Sequence, residues 1–333
     1  MTKTTTTKAT TLPALDGLLV IEAHNDALNI DPDVGVPRTN PISGKGEVSA
    51  ECIKAKIRRS AMRLNPTLVP FYHRGAVHQD HIEQAYEAAG AIVKTAKKAS
   101  KKTAKAEAPD IEDTEAPDTE DAEDNTITID TIKGNAELCR IFFDVSWFGL
   151  VVTKPGRGQI RGPFSFGIGE TVYPVNLDER LLTRQTVTNR ERSDKQKGAN
   201  QEFGRKTVVT HGVYLVHWHF DPFCADQNGL TEQDLAEFIE AMLHMFRNDQ
   251  SSARNNVTLR KAYVFEHASP FRDAEPVELL EQIKVTAENP DTAVSWDAYT
   301  VEVPADLPET IKLHVLKDGL TINNPWVKAS AAE

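Results

Sequence analysis

Leu18-Leu19-Val20-Ile21, the loop from His24 to Arg38, and Ser49-Ala50-Glu51-Cys52-Ile53-Lys54-Ala55-Lys56-Ile57-Arg58-Arg59-Ser60-Ala61-Met62-Arg63 make up the stretch on which the fold turns. The first four residues are a continuous apolar run of the kind that fills a buried strand. The loop is crowded with Asn, Asp, Gly and Pro, each of which favours turns. Ser49 stands where a helix N-cap belongs, and Glu51 complements the first turn. Ile53, Ile57 and Leu64 mark an apolar stripe, with Lys54 and Arg58 on one flank and Lys56, Arg59 and Arg63 on the other. A helix packed by its stripe and rimmed by cations can present a groove to phosphates.

Outward from this stretch the apolar pattern sets an order of elements. Ile141 to Val152, rich in Phe and Trp, reads as a strand, and Val208 to Phe220 alternates with Val208, Tyr214, Val216, Trp218 and Phe220 on one face. Thr231 caps a helix running to Arg247, with Leu230 and Leu235 placed as a hydrophobic staple. Lys261 to His267 is a further strand, and Tyr299–Val303 with Ile311–Leu316 is expected as a terminal hairpin. With Leu18–His24 and Ala50–Arg63 these give strand, helix, strand, strand, helix, strand, the ferredoxin-like order of an α+β domain, which the RNA-binding RRM also uses. The whole chain, residues 1–333, reads as one such domain with insertions. A helical insertion spans 64–129, with a helix expected over His81–Lys98 and a disordered acidic loop over 95–125. A glycine-rich and basic insertion spans 154–206, and 324–333 reads as a flexible tail.

The net charge of −11 argues at first against a nucleic-acid binder. Its location reverses that inference, because Glu107 to Asp124 holds ten acidic residues and no basic one, leaving the rest of the chain at −1. Arg157 to Lys206 carries ten Lys or Arg against six Asp or Glu. The polar, Thr-rich N-terminus lacks the apolar core of a secretory signal and no run reaches membrane-spanning length, so a cytoplasmic protein without a membrane partner is expected. The three cysteines are far apart and read as reduced structural thiols.

Lys154-Pro155-Gly156-Arg157-Gly158-Gln159-Ile160-Arg161-Gly162-Pro163 is the second strong feature. Glycines admit a close backbone approach, and arginines fork onto phosphate oxygens. It is no P-loop, since no Gly-Lys-Ser/Thr follows. An ordinary glycine-rich turn with solvated arginines is the equal alternative. Thr183 to Lys206 reads as an exposed hairpin or arm with Arg184, Arg205 and Lys206 near its base, or as a plain surface loop. Asp26, Asn29, Asp31 and Asp33 miss the calcium-loop spacing, and His217 with His219 lack a third ligand at a zinc spacing. Turn-stabilising aspartates and structural histidines are the favoured readings, with His24 and Asp26 as acid–base groups a minor one.

Together these stretches resemble the Cascade backbone subunit of type I CRISPR systems, Cas family seven of the RAMP superfamily, in its type I-C branch. The resemblance is carried by Asp31-Pro32-Asp33-Val34-Gly35-Val36-Pro37-Arg38, Lys54-Ala55-Lys56-Ile57-Arg58, Phe148-Gly149, Gly158-Gln159-Ile160-Arg161-Gly162-Pro163, Gly204-Arg205-Lys206, His211-Gly212-Val213-Tyr214, Gly229 to Leu235, Met245-Phe246, Ser251 to Arg254 and Tyr263 to His267. It spans about Val20 to Leu316. The family's first loop reads Asn-Gly-Asn-Pro-Asn-Gly-Asp-Pro, which His24 to Asp31 replaces here.

That resemblance implies an RRM-type palm (βαββαβ) with helical fingers and a β-hairpin thumb, several copies polymerised along one guide RNA (crRNA), and pairing with target DNA. It implies no catalytic residue, no metal and no cofactor. The partners it implies are further copies of the chain, subunits of Cas families five and eight, and a recruited helicase-nuclease that does the cutting. The residues it assigns to RNA are Lys54, Lys56, Arg58 and Arg59 of the palm helix, Arg157, Gln159, Arg161 and Gly162 as a backbone cradle, and Arg184, Arg205 and Lys206 of the thumb. The enzyme alternative is a metal-dependent ribonuclease of the type III backbone kind using Asp26 or Asp31. A generic single-strand RNA-binding module is the third.

Overall fold

The computed structural model describes residues 12–96, 125–152, 158–184, 186, 190–191, 202–252 and 254–327. In chain order its principal elements are β1 (Leu15–Asp26), β2 (Lys45–Val48), α1 (Ala50–Leu64), α2 (His78–Ala88), β3 (Ile92–Ala96), β4 (Asn125–Ile129), α3 (Thr131–Ile141), α4 (Phe143–Phe148), β5 (Gly149–Val151), β6 (Gln159–Arg161), β7 (Phe164–Phe166), β8 (Gly169–Pro174), β9 (Leu177–Arg184) and β10 (Glu202–Phe220). After them come α5 (Pro222–Gln227), α6 (Glu232–Leu243), β11 (Val257–His267), α7 (Pro276–Leu280), β12 (Lys284–Ala287), β13 (Tyr299–Glu302), β14 (Ile311–Asp318) and β15 (Thr321–Ile322). Among the described residues nine strands form one antiparallel sheet in the order β15-β14-β11-β1-β10-β8-β2, with β7 and β9 also paired to β10.

Strand β1 is apolar on both sides because both sides are covered. Leu15, Leu19 and Ile21 join Ile53 and Ile57 of α1 and Phe238, Ile239 and Met242 of α6 in the main core. Leu18 and Val20 point the other way, into a second cluster with Tyr263, Phe265, Leu279 and Ile283. The helices start where the sequence placed their caps. Ser49 accepts from the Cys52 N–H at 3.2 Å, and Thr231 forms a capping box with Asp234. Leu64, expected in the α1 stripe, is instead 51% exposed beyond the helix's contact with the sheet.

Three expected elements differ. Ile141–Val152 is not a strand. It holds the end of α3, all of α4, and the short β5, with Phe143 and Trp147 meeting edge to face at 4.9 Å one helical turn apart. The strands beside β10 are β7 and β8 instead. The His81–Lys98 helix stops at Ala88, because Gly90 takes φ +60°, with Gly90 N–H bonded to Glu87 O and Ala91 N–H to Tyr86 O, both at 2.9 Å. The chain then runs into β3, which pairs with β4 from Ile92↔Ile129 to Ala96↔Asn125. Tyr299–Val303 and Ile311–Leu316 do not pair with each other: β13 joins β12, and β14 joins β11 in a register that buries Ile311 and Leu316.

α2, α3 and the β5–β6 hairpin share a separate small core around Phe71, Tyr86, Leu138, Leu150 and Ile160. β9 and the first half of β10 form a hairpin from Leu177↔Val209 to Arg184↔Glu202. Of the expected tail, Asn324 donates to the Ala236 carbonyl at 2.9 Å, so residues 324–327 are docked on α6. The acidic tract, Arg157 and residues 328–333 lie outside the described residues. No described helix is long and apolar enough to cross a membrane. Cys52, Cys139 and Cys224 are unpaired, and burial pushes the Cys139 thiol up to about 12.

β1 also carries carboxylates inside the sheet. Asp16, fully buried, accepts from His219 Nδ1 (2.6 Å), His267 Nε2 (2.8 Å) and Arg272 Nε (3.0 Å). Burial raises its pKa, and the bonds from His219, His267 and Arg272 outweigh that and hold it well below the usual carboxylate range. A depressed carboxylate stabilises the fold above its unfolded pKa, about 3.9, and that contribution is lost as pH falls below it. Unfolding free energy of the wild type should therefore drop more steeply below about pH 4 than that of Asp16→Asn. Parallel pH profiles by denaturant titration would count against this role.

Candidate nucleic-acid interface

The flank of α1 that carries Lys54 and Arg58 faces the β5–β6 hairpin across a groove of about 710 Å³, also lined by Tyr72, Phe148, Gln159 and Arg161. Lys54 and Arg58 are one turn apart and therefore point the same way. The opposite wall is held by close backbone packing. Gly149, at φ +80°, lies against Gly162, and a Cβ on Gly162 would sit 2.2 Å from the Phe148 carbonyl carbon. The Asn228 side-chain amide ties the wall down by donating to Ser146 O (3.0 Å) and Arg161 O (2.9 Å). The sequence suggests that Gly162 lets a nucleic-acid backbone come close. The backbone that comes close is the chain's own.

The two cations of α1 are differently placed. Arg58, its side chain 14% exposed, donates through Nε to Asp144 at 2.6 Å, and its guanidinium carbon lies 5.1 Å from the Tyr72 ring centre and 5.7 Å from that of Phe148. Asp144 is fully buried and also accepts from the Phe71 N–H (2.7 Å) and the Tyr72 N–H (3.1 Å). Arg58 is thus neutralised and fixed. Lys54 Nζ stands 5.7 Å from the Phe148 ring centre and has no acidic partner among the described residues. Arg161 reaches from the other wall with its side chain 80% exposed, 3.9 Å from Asp221. The groove so offers cations at Lys54 and Arg161, an aromatic face at Phe148, and the amide of Gln159, which is the inventory that grips a phosphate backbone and stacks bases.

Residues 14–304 match the family model of the CRISPR-associated protein Cas7. The chain belongs to the Cas7 family. Among solved structures it is similar to a chain of a CRISPR RNA-guided surveillance complex, pre-nicking, at 15% identity and TM-score 0.47, covering 80% of this chain and 82% of that one. It is also similar to a chain of a CRISPR RNA-guided surveillance complex at 12% identity and TM-score 0.42, covering 83% and 77%. No curated protein matches the chain.

The other residues singled out in this Cas7 chain are dispersed. Lys56, expected on the phosphate-facing rim, is 1% exposed, lies 5.3 Å from the Phe246 ring centre and pairs with Asp249, because α1 turns it inward toward the segment after α6. Arg59 shares that carboxylate at 3.2 Å, on the flank away from the groove. Arg205 pairs with Glu179 at 3.0 Å and Lys206 donates to the Ser252 carbonyl, both midway along the β9–β10 hairpin (opposite Leu181 and Arg180) and outside the groove. Arg184 ends the paired part of β9, and Arg157 lies outside the described residues.

In this Cas7 chain Asp31 stabilises a turn, as its reading expected, whereas Asp26 ends β1 and ties it to a distant segment. The carboxylate of Asp26 accepts from the backbone N–H groups of Ala27, Asn255 and Asn256 at 2.7, 2.5 and 2.6 Å. Asp31 accepts from the Asp33 N–H at 2.9 Å and pairs with Arg38 at 3.3 Å. Sequence reading missed Asp144 and Tyr72. A carboxylate set within Phe142-Phe143-Asp144-Val145 is the signal that could have found the first.

Proposed function

We propose that this chain is a guide-RNA-binding backbone subunit of a type I-C CRISPR surveillance complex. Several copies polymerise along one crRNA, beside subunits of Cas families five and eight, in the cytoplasm. The filament supports guided binding of target DNA in antiviral defence and leaves cutting to a recruited helicase-nuclease. The observation that carries the reading is the convergence of Lys54 and Arg161, distant in sequence, on one groove beside the Phe148 ring. In this reading β1, α1, the β7–β8 stretch, β10, α6 and β11 make the βαββαβ palm, the α2–α3 module the fingers, and the β9–β10 hairpin the thumb. Lys54, Arg161 and Gln159 touch guide phosphates, while Arg58 braces the wall.

Co-expression with the partner subunits and a repeat-spacer RNA tests this by particle mass and nucleic-acid content. The expected product is a large particle with several copies and one protected RNA, and an RNA-free monomer would overturn the reading. Lys54→Glu with Arg161→Glu should weaken RNA binding whatever its sequence, and flatten the log–log salt dependence by about 0.7 for each phosphate no longer neutralised. Unchanged affinity and slope would remove the groove from the RNA path.

A further inference from the structure

Helix α1 has a second basic flank, turned away from the groove. There Arg59, Ser60 and Arg63 meet the turn that follows α6, with His244, Arg247 and Asp249, around a cavity of about 230 Å³. Asp249 is its one lining carboxylate, and that group already serves Lys56, Arg59 at 3.2 Å and Arg254 at 3.4 Å. Arg63 donates to the Asn248 carbonyl, Arg59 Nε to the Ala55 carbonyl at 3.2 Å, and His244 is bonded to Glu240 at 2.6 Å. Arg247 has no acidic partner among the described residues. Three arginines, Arg59, Arg63 and Arg247, therefore line a concave place whose one lining carboxylate is already shared among Lys56, Arg59 and Arg254, and such an uncompensated field concentrates anions.

The field reaches beyond the cavity. Lys317 is pushed down first by burial and then by Arg247 and Arg260. The Arg59 and Arg63 guanidinium forks are pre-oriented by their bonds to the Ala55 and Asn248 carbonyls, which lowers the ordering cost of gripping an oxyanion. We propose that this cavity binds a phosphate group, held by Arg63 and Arg247 with Arg59 and the Ser60 hydroxyl on the near wall. The phosphate comes either from a free anion in solution or from the backbone of a nucleic-acid strand. The site is independent of the groove: it uses neither Lys54 nor Arg161.

The test begins with the full wild-type chain titrated with pyrophosphate, read by calorimetry and by the thermal unfolding midpoint. Saturable binding with a raised midpoint is expected, unchanged in Lys54→Ala and at least tenfold weaker in Arg63→Gln/Arg247→Gln. RNA binding is then measured over a salt series. A slope lowered by about 1.4 in the double variant assigns the site to backbone phosphates at two positions, whereas an unchanged slope with abolished pyrophosphate binding assigns it to a free anion. A wild type that binds no pyrophosphate saturably overturns the proposal without recourse to any variant, as does pyrophosphate affinity unmoved in a folded double variant. Since Lys54→Ala separates the two flanks, neither result bears on the guide-RNA reading of the groove.

Discussion

Asp144→Ala is expected to lower unfolding free energy by about 3–5 kcal/mol, the range for breaking a buried charge pair from one side. Three groups lose their acceptor at once: the Arg58 guanidinium and the Phe71 and Tyr72 backbone N–H groups. Asp144 lies in α4 and Arg58 in α1, so the change also frees the helical module from the sheet's main helix. Asp144→Asn keeps an acceptor for one N–H but points an amide at the guanidinium, and should fall between the two. Pairing Asp144→Asn with Arg58→Met removes the unpaired charge and should recover part of the loss, giving a coupling energy measurable from urea midpoints. A single Asp144→Ala variant within 1 kcal/mol of wild type would show that the pair does not brace the wall.

Gly162→Ala is the second large effect. The new methyl would lie 2.2 Å from the Phe148 carbonyl carbon and 2.4 Å from the Gly149 nitrogen, both backbone atoms with no rotamer to escape into. Overpacking of this kind costs about 3 kcal/mol or more, at the upper end for cores. The hairpin should lift from α4, carrying Arg161 away from Lys54, so RNA affinity and stability fall together. Gly204→Ala is the control. Its Cβ would meet nothing nearer than Leu182 Cβ at 3.9 Å, and a shift within about 0.5 kcal/mol is expected. Equal denaturation midpoints for the two alanine variants would refute the packing argument.

What could be read from the sequence was local. Leu18 to Ile21 announces a two-sided strand because no polar side chain interrupts it, and Thr231 with Leu230 and Leu235 announces a helix start because a cap and its staple are settled by near neighbours. Phe142 to Phe148 misled, since aromatic residues suit strands when judged alone. The choice for helix was made by distant partners: Asp144 needs Arg58, and Trp147 needs Phe238, at 5.2 Å between ring centres. Lys56 was misplaced for the same reason. Nothing beside it in sequence discloses Asp249, 193 residues on. The groove itself was half legible. Both walls stood out as basic stretches, yet the reason for their glycines, chain against chain, could only come from the tertiary contact.

The β3–β4 ribbon has a consequence for how this chain tolerates change. Ala96 and Asn125 face each other across adjacent strands, so whatever lies between leaves and returns through a mouth about 5 Å wide. Lengthening a flexible loop twofold adds about 0.6 kcal/mol of closure entropy. The ribbon is a two-stranded sheet of its own, so a fluorescent or affinity module spliced between its strands enters at an end that pairs with no strand of the nine-stranded sheet.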